Sequence, residues 1–150
     1  FLRYVFTPLD EATSGSMWVV ASGTDRILSM FGDVVAQACH RKGMVGAVTD
    51  SGCRDIAGMT KIGFSVFAKA SVPYGPGSFI RPVAANVPVI CGGTEVRPGD
   101  LVAADADGVI VIPSELITDL TTTVASLLIM EQEMRRKLDA GESLVKSHSL

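Results

Sequence analysis

The sequence predicts one α/β domain with mixed strands and flanking helices, and three observations carry that expectation. A chain of 150 residues that is 47% hydrophobic and 19% charged can bury a real core as one globular domain. Gly32 to Asp55 reads as a short helix followed by a buried strand. Further on, two apolar β runs are followed, after Pro113, by a long stretch with apolar residues at helical spacing.

Taken in order, Phe1 to Thr7 reads as a strand, Pro8 to Ser16 as a loop and Met17 to Ala21 as a second apolar strand. Ser22 to Phe31 crosses to the central helix, with Gly23 and Asp25 suggesting a turn. Gly32 lets the backbone turn and Asp33 is a good N-cap. Val34, Val35, Ala38 and Cys39 then form one expected buried stripe, and Gly43 is placed to close the helix in a left-handed conformation. Met44 to Thr49 is apolar and partly β-branched, the pattern of a buried strand, and it ends in the turn residues Asp50, Ser51 and Gly52. Ile56 to Lys61 suits one or two helical turns, and Phe64 to Ala68 another strand. Ser71 to Ser78, with two prolines and two glycines, reads as a loop, more readily a plain surface connection than a flap beside a pocket. Phe79 to Cys91 reads as a long extended stretch in which Pro82 and Pro88 limit pairing in a central ladder. Gly92 and Gly93 mark a bend, Arg97 to Asp100 a tight turn, and Leu101 to Ala104 with Val109 to Ile112 a hairpin-like pair. Pro113 stops the strand, Ser114 is placed to cap a final helix, and Glu115 suits its first turn. Leu116, Leu120, Val124, Leu127, Leu128 and Met134 follow at helical spacing, and Gly141 is a natural stop.

The chemistry gathers in the Gly32 to Asp55 stretch. The first turn of its helix offers free N–H groups at Val34 and Val35 and a favourable dipole, which suits a carboxylate or phosphate. Arg54 offers a planar fork to a carboxylate and Asp55 a hard oxygen to a divalent cation. Both face the helix start if the strand runs back beside the helix. The plain alternative is a solvated surface pair and a capped helix end that binds only water.

Other classes lose support. A net charge of −3 gives no electrostatic argument for nucleic acid or an anionic membrane. Cys39, Cys53 and Cys91 are odd in number and form no C-x-x-C pair, which points away from disulfides and zinc and towards a reduced, cytoplasmic compartment. No apolar run reaches the length of a membrane span, and the first residues do not form a signal peptide. His40 and His148 make no site, and no lysine sits in a recognisable Schiff-base setting, with Lys61 and Lys69 left open. Nucleophile-elbow, P-loop and dinucleotide motifs are missing. Asp105 to Gly108 briefly suggests a calcium loop, but the twelfth position from Asp105 is Leu116, so these aspartates read as turn formers.

Several separated motifs occur together in one order: G-D-x-x-A from Gly32, G-x-x-G-x-V-x-D from Gly43, Arg54-Asp55, N-V-P-V from Asn86, V-R-P-G-D-L-V from Val96 and A-D-x-D-G-V-I-V-I-P from Ala104. From about Trp18 to Gly141 the chain resembles the regulator of ribonuclease activity A (RraA-like) family, whose metal-dependent branch comprises 4-hydroxy-4-methyl-2-oxoglutarate aldolases. The resemblance implies a layered β/β/α, swivelling-type fold over residues 1–150, assembly as a homotrimer or a dimer of trimers, and a small 2-oxo acid substrate. It also implies further helical sequence ahead of Phe1, so that the chain, lacking an initiator methionine, reads as a fragment or processed form.

For the site, the resemblance and the residue chemistry together assign roles. Gly32, Asp33 and the N–H groups of Val34 and Val35 would hold the substrate carboxylate, Arg54 the 2-oxo group, and Asp55 a Mg²⁺ or Mn²⁺ ion. Asp33 would also orient a metal-linked water that takes the proton from the C4 hydroxyl. Glu131 is a candidate partner for the metal's waters from a neighbouring subunit, against its reading as an ordinary exposed helical glutamate. The expected activity is retro-aldol release of pyruvate, with oxaloacetate decarboxylation through the same enolate. The alternative is a non-enzymatic regulator that binds ribonuclease E; members of that branch can lack the aspartate after the arginine, which is present here as Asp55.

Overall fold

The computed structural model describes residues 2–148. The chain divides into two compact units, Phe1–Val111 and Ile112–Leu150.

The first unit is built on parallel strands. β1 (Met17–Val20), β3 (Gly46–Thr49) and β5 (Ser65–Phe67) pair in parallel in the order β1-β3-β5, with Trp18 opposite Ala47 and Ala47 opposite Val66. A second parallel sheet has the order β2-β4-β6, from β2 (Ser29–Phe31), β4 (Gly52–Cys53) and β6 (Ala70–Ser71). Each strand of the first sheet is thus followed in the chain by one of the second. At the step from β3 to β4, Ser51 is fully buried, and its hydroxyl both accepts from the Leu28 N–H and donates to the Leu28 carbonyl, at 2.9 Å each. A buried hydroxyl without partners would cost about 1–3 kcal/mol; here the pairing locks the crossing.

Two helices pack on this framework. α2 (Asp33–Arg41) buries Ala36 and Cys39. α3 (Ile56–Ile62) buries Met59. The core joins these residues to Phe31, Met44, Ala47, Cys53 and Phe64, and Trp18 meets Phe31 edge-on with ring centroids 5.5 Å apart. α2 ends as expected: Gly43 has φ of 76°, its N–H donates to the His40 carbonyl, and Met44 N–H donates to the Cys39 carbonyl. That pair of bonds is a Schellman closure. The expected stripe is corrected, because Val34 is 76% exposed and Ala38 is also exposed, while Ala36 takes the inward position. The inward face is set by packing at Ala36 and Cys39, three residues apart, with Val35 half-buried beside them.

Two other expectations change in this unit. The first segment is a helix, α1 (Leu2–Asp10), not a strand; Phe1 lies outside the described residues. Leu9 is buried and Val5 half-buried, and their i, i+4 spacing brings them to one face of a helix. In the stretch from Phe79 to Cys91 only β7 (Val89–Cys91) is a strand, paired antiparallel with β8 (Thr94–Val96) around Gly92 and Gly93. Both of those glycines have positive φ, 60° and 86°, as a two-residue hairpin turn of this hand requires. β9 (Leu101–Ala104) and β10 (Val109–Ile112) form a further two-stranded sheet at their expected bounds.

In the second unit, a 3-10 turn over Ser114–Leu116 leads into α4 (Ile117–Asp139), so Ser114 sits inside that turn and Pro113 takes its N-cap position. Gly141, at φ of 87°, follows the helix end as expected. α5 (Leu144–Ser147) is capped by Ser143, whose side chain accepts from the Lys146 N–H.

Candidate functional site

Parallel pairing in the second sheet decides where the chemistry lies. Because β2, β4 and β6 run the same way with Phe31 opposite Cys53 and Cys53 opposite Ser71, the residues following all three strands emerge at one edge. These are Gly32 with the start of α2, Arg54 with Asp55, and the segment Val72 to Gly75. Backbone bonds fix the arrangement: Arg54 N–H donates to the Phe31 carbonyl at 2.9 Å, Val72 N–H to the Cys53 carbonyl at 2.9 Å, and Ser29 N–H to the Tyr74 carbonyl at 3.0 Å. The carboxyl edge of parallel strands is where open α/β sheets generally place ligands.

At that edge the side chains converge on glycines. A Cβ on Gly32 would lie 2.6 Å from Asp55 Oδ2 and 3.2 Å from Arg54 Nε. Gly75 would bring one to 2.8 Å from Arg54 Nη1, and Gly58 in α3 to 2.8 Å from Asp33 Oδ2. Three positions that lack side chains therefore make the room in which one arginine and two aspartates stand. Gly32 is the N-cap of α2, with extended φ of −137°. The first intrahelical bond runs from Ala36 N–H to the Gly32 carbonyl, which leaves the N–H groups of Asp33, Val34 and Val35 outside the helical ladder.

Asp55 binds into this frame from an unusual backbone. It is the N-cap of α3 at φ 58° and ψ 38°, left-handed for a residue that is not glycine. Its Oδ2 accepts from the Asp33 N–H at 3.4 Å and from Arg54 Nε at 3.3 Å. Both side chains remain accessible, at 44% for Arg54 and 40% for Asp55. Cys53, directly before them, is buried, and burial pushes its thiol above its ordinary value, so it is a core residue and not a nucleophile.

The donor set can be tested against the metal that the resemblance implies. Among the described residues no three His, Cys, Asp or Glu side chains gather as a closed cage. What the glycine-lined edge offers is a hard carboxylate oxygen at Asp55, accessible to solvent and close to the free N–H groups of α2. That fits magnesium, which keeps several waters and takes only one or two protein carboxylates. It does not fit a structural zinc site, which needs four closed ligands.

The RraA-like model, described as Aldolase/RraA, matches residues 3–111. The chain belongs to the RraA-like family. The match ends where the first compact unit ends. A protein of Halalkalibacterium halodurans, provisionally named 4-hydroxy-4-methyl-2-oxoglutarate aldolase, is 36% identical over 114 residues, 73% of this chain and 51% of its own length. One of Azotobacter vinelandii with the same provisional name is 32% identical over 109 residues, 72% of this chain and 66% of its own. The chain thus spans about half the length of the first of these relatives. Among solved structures, Streptomyces coelicolor RraAS2, described as an unusual member of the RNase ES inhibitor RraA family, superposes with a TM-score of 0.82 at 28% identity, over 89% of this chain and 68% of its own. An uncharacterized Pseudomonas syringae protein superposes at 0.87 with 22% identity, over 92% and 69%, which bears on fold alone.

Within this RraA-like unit the structure brings together Gly32, Asp33, Arg54 and Asp55 as the sequence suggested. Two details differ. Asp33 is the first helical residue and not the N-cap, and the Asp33 N–H is already engaged by Asp55, so Val34 and Val35 are the N–H groups left for an external anion. Glu131 belongs to α4 in the second unit, beyond the matched segment, where it is exposed and lies 4.0 Å from Arg135, an i, i+4 ion pair. Gly75 and Gly58 carry no mark of their role in the sequence, because the parallel strands that bring Gly75 to Arg54 are too brief to show periodicity.

Proposed function

We propose that this RraA-like chain carries the site of a divalent-metal-dependent pyruvate aldolase acting on 4-hydroxy-4-methyl-2-oxoglutarate or a related 4-hydroxy-2-oxo acid, with oxaloacetate decarboxylation as a side activity. The observation that carries the reading is the convergence of Arg54 and Asp55 on the start of α2, in a space kept open by Gly32. The provisional aldolase names of the relatives from two bacteria agree with it.

In this reading the N–H groups of Val34 and Val35 hold the substrate's C1 carboxylate, aided by the helix dipole. Arg54 directs its guanidinium at the 2-oxo oxygen, where negative charge grows as the reaction proceeds. Asp55 would hold Mg²⁺ or Mn²⁺, which supplies Lewis-acid stabilisation of that same charge. Asp33 orients a water that takes the proton from the C4 hydroxyl. The C3–C4 bond then breaks, its electron pair passes to C3 and the 2-oxo oxygen as a pyruvate enolate, and C4 becomes a ketone. Protonation at C3 releases pyruvate. Oxaloacetate yields the same enolate by losing carbon dioxide, so one electrophilic arrangement serves both.

A second reading, a protein-binding regulator acting without chemistry, draws on the likeness to Streptomyces coelicolor RraAS2. The Arg54-Asp55 pair favours the enzyme. Arg54→Ala separates the two readings: an aldolase loses about 100-fold or more in kcat, by analogy with removal of an oxyanion donor. Unchanged turnover in that variant would contradict the assignment of Arg54.

A further inference from the structure

We propose that Gly75 is a positioning residue for Arg54, and that the Val72 to Gly75 segment is the second wall that holds the guanidinium in place. This rests on the role given to Arg54 above. Arg54 leaves the central strand of the β2-β4-β6 sheet, so it has a neighbour on each side. On one side is Gly32, 3.2 Å from Arg54 Nε when measured from an added Cβ; on the other is Gly75, 2.8 Å from Nη1 by the same measure. Real Cβ atoms essentially never come as close as 2.8 Å, and 3.2 Å is tighter than nine in ten of their contacts, so a side chain at Gly75 would displace the guanidinium and one at Gly32 would crowd it.

The wall is anchored and not a free loop. Val72 N–H donates to the Cys53 carbonyl on the strand that carries Arg54, and Tyr74 carbonyl accepts from Ser29 on the opposite outer strand. Gly75 is thereby spanned across the end of the sheet, over the arginine. Its backbone is also informative: Gly75 is not among the glycines with positive φ. Backbone conformation therefore does not demand glycine here, and the space taken by Arg54 does. Among the described residues the side-chain hydrogen bond of Arg54 is an accessible contact to Asp55 at 3.3 Å, which engages Nε and not the far end of the fork. Two walls without side chains leave room between them for the guanidinium, which stays accessible.

The consequence is specific. Gly75→Ala should fold as the wild type does, since the clash falls on the flexible end of an arginine, but the guanidinium is displaced. Because Arg54 is asked to bind growing charge more than the ground state, the loss appears in kcat, by about tenfold or more, with KM changed less. A residue that acts through another shows no effect once that other is removed. In the Arg54→Ala background, Gly75→Ala should therefore change kcat by less than about twofold. A readout independent of turnover is the Arg54 Nε–H resonance in ¹H–¹⁵N spectra, assigned by its loss in Arg54→Lys, which should shift in Gly75→Ala.

The test is the kinetic cycle of wild type, Gly75→Ala, Arg54→Ala and the double variant with oxaloacetate and Mg²⁺, with the Nε–H spectra recorded on wild type and Gly75→Ala. Loss of kcat in Gly75→Ala that vanishes in the double variant supports the proposal. Normal kcat in Gly75→Ala, or an equal further loss in the Arg54→Ala background, overturns it. Should the wild type release no pyruvate, the aldolase reading fails by itself, and the spectra decide the positioning: a shifted Nε–H signal sustains the contact and an unchanged one overturns it.

Discussion

Asp55 combines a functional carboxylate with an unfavourable backbone, and the two can be separated by paired substitutions, Asp55→Ala and Asp55→Gly. At φ 58° and ψ 38° an L-residue pays for the proximity of its Cβ to the following carbonyl, roughly 1–2 kcal/mol, with aspartate at the low end. Alanine keeps that cost and loses the local hydrogen bonding that makes aspartate tolerant of the region. The contacts it gives up are small: a 3.4 Å bond from the Asp33 N–H and a 3.3 Å pair with Arg54, in which both side chains are 40% exposed or more. Pairs of that kind are each worth less than about 1 kcal/mol. Glycine gives up the same contacts but removes the steric cost, offset in part by its own greater entropy in the unfolded chain. The expected order is Asp55→Gly more stable than Asp55→Ala by about 1 kcal/mol, which for an m-value of about 1–3 kcal/mol/M separates their urea midpoints by roughly 0.3–1 M. Both variants should lose metal-dependent turnover. If Asp55→Ala proved as stable as Asp55→Gly, the left-handed conformation, and the idea that backbone strain is carried here for the sake of the carboxylate, would be refuted.

Two further predictions concern the core beneath the site. Cys39 is buried with its thiol pushed up to about 11 by desolvation, and Cys53 and Cys91 are also raised, so all three should react slowly with a disulfide reagent at pH 8 in the native protein and rapidly in denaturant. The raised Cys39 value means that the folded state holds its proton more tightly than the unfolded one: that contribution is complete below pH 9 and fades as pH rises towards 11, about 2–3 kcal/mol in all. Urea titrations from pH 8 to 10.5 should show a shallower decline in Cys39→Ala than in wild type. Phe31→Ala removes a side chain that is 1% exposed and the edge-on partner of Trp18, and should cost about 3–5 kcal/mol with a change in tryptophan emission.

Local chemistry made the Gly32 to Asp55 stretch legible. The Schellman closure at Gly43, the apolar run before Asp50 and the pairing of Arg54 with Asp55 are written in adjacent residues. The R-P-G-D turn was equally visible, and Asp100 N–H does donate back to the Arg97 carbonyl at 3.1 Å. What could not be read depends on partners distant in sequence. β2, β4 and β6 have only two or three residues each, too few for an alternating pattern, so the sheet that gathers the site left no trace. α1 contains Pro8 and an apolar opening that resembles a strand, and only burial of Leu9 in the core shows its helical face. Asp33 was displaced by a single residue from the expected cap because glycine serves as N-cap when the backbone is extended there. The long stripe of the final helix is periodic in sequence and α4 forms there, yet no residue of α4 is buried, since periodicity reports a face and not what covers it.

The central claim is that Asp55 and Arg54 form an enolate-stabilising site at the carboxyl edge of the β2-β4-β6 sheet. Pyruvate release from 4-hydroxy-4-methyl-2-oxoglutarate and from oxaloacetate, measured with Mg²⁺, with chelator and with Asp55→Ala, tests it most directly. The account predicts release that requires the metal and disappears in the variant. Release that persists in chelator or in Asp55→Ala, or none from either compound by the folded wild type, would contradict it.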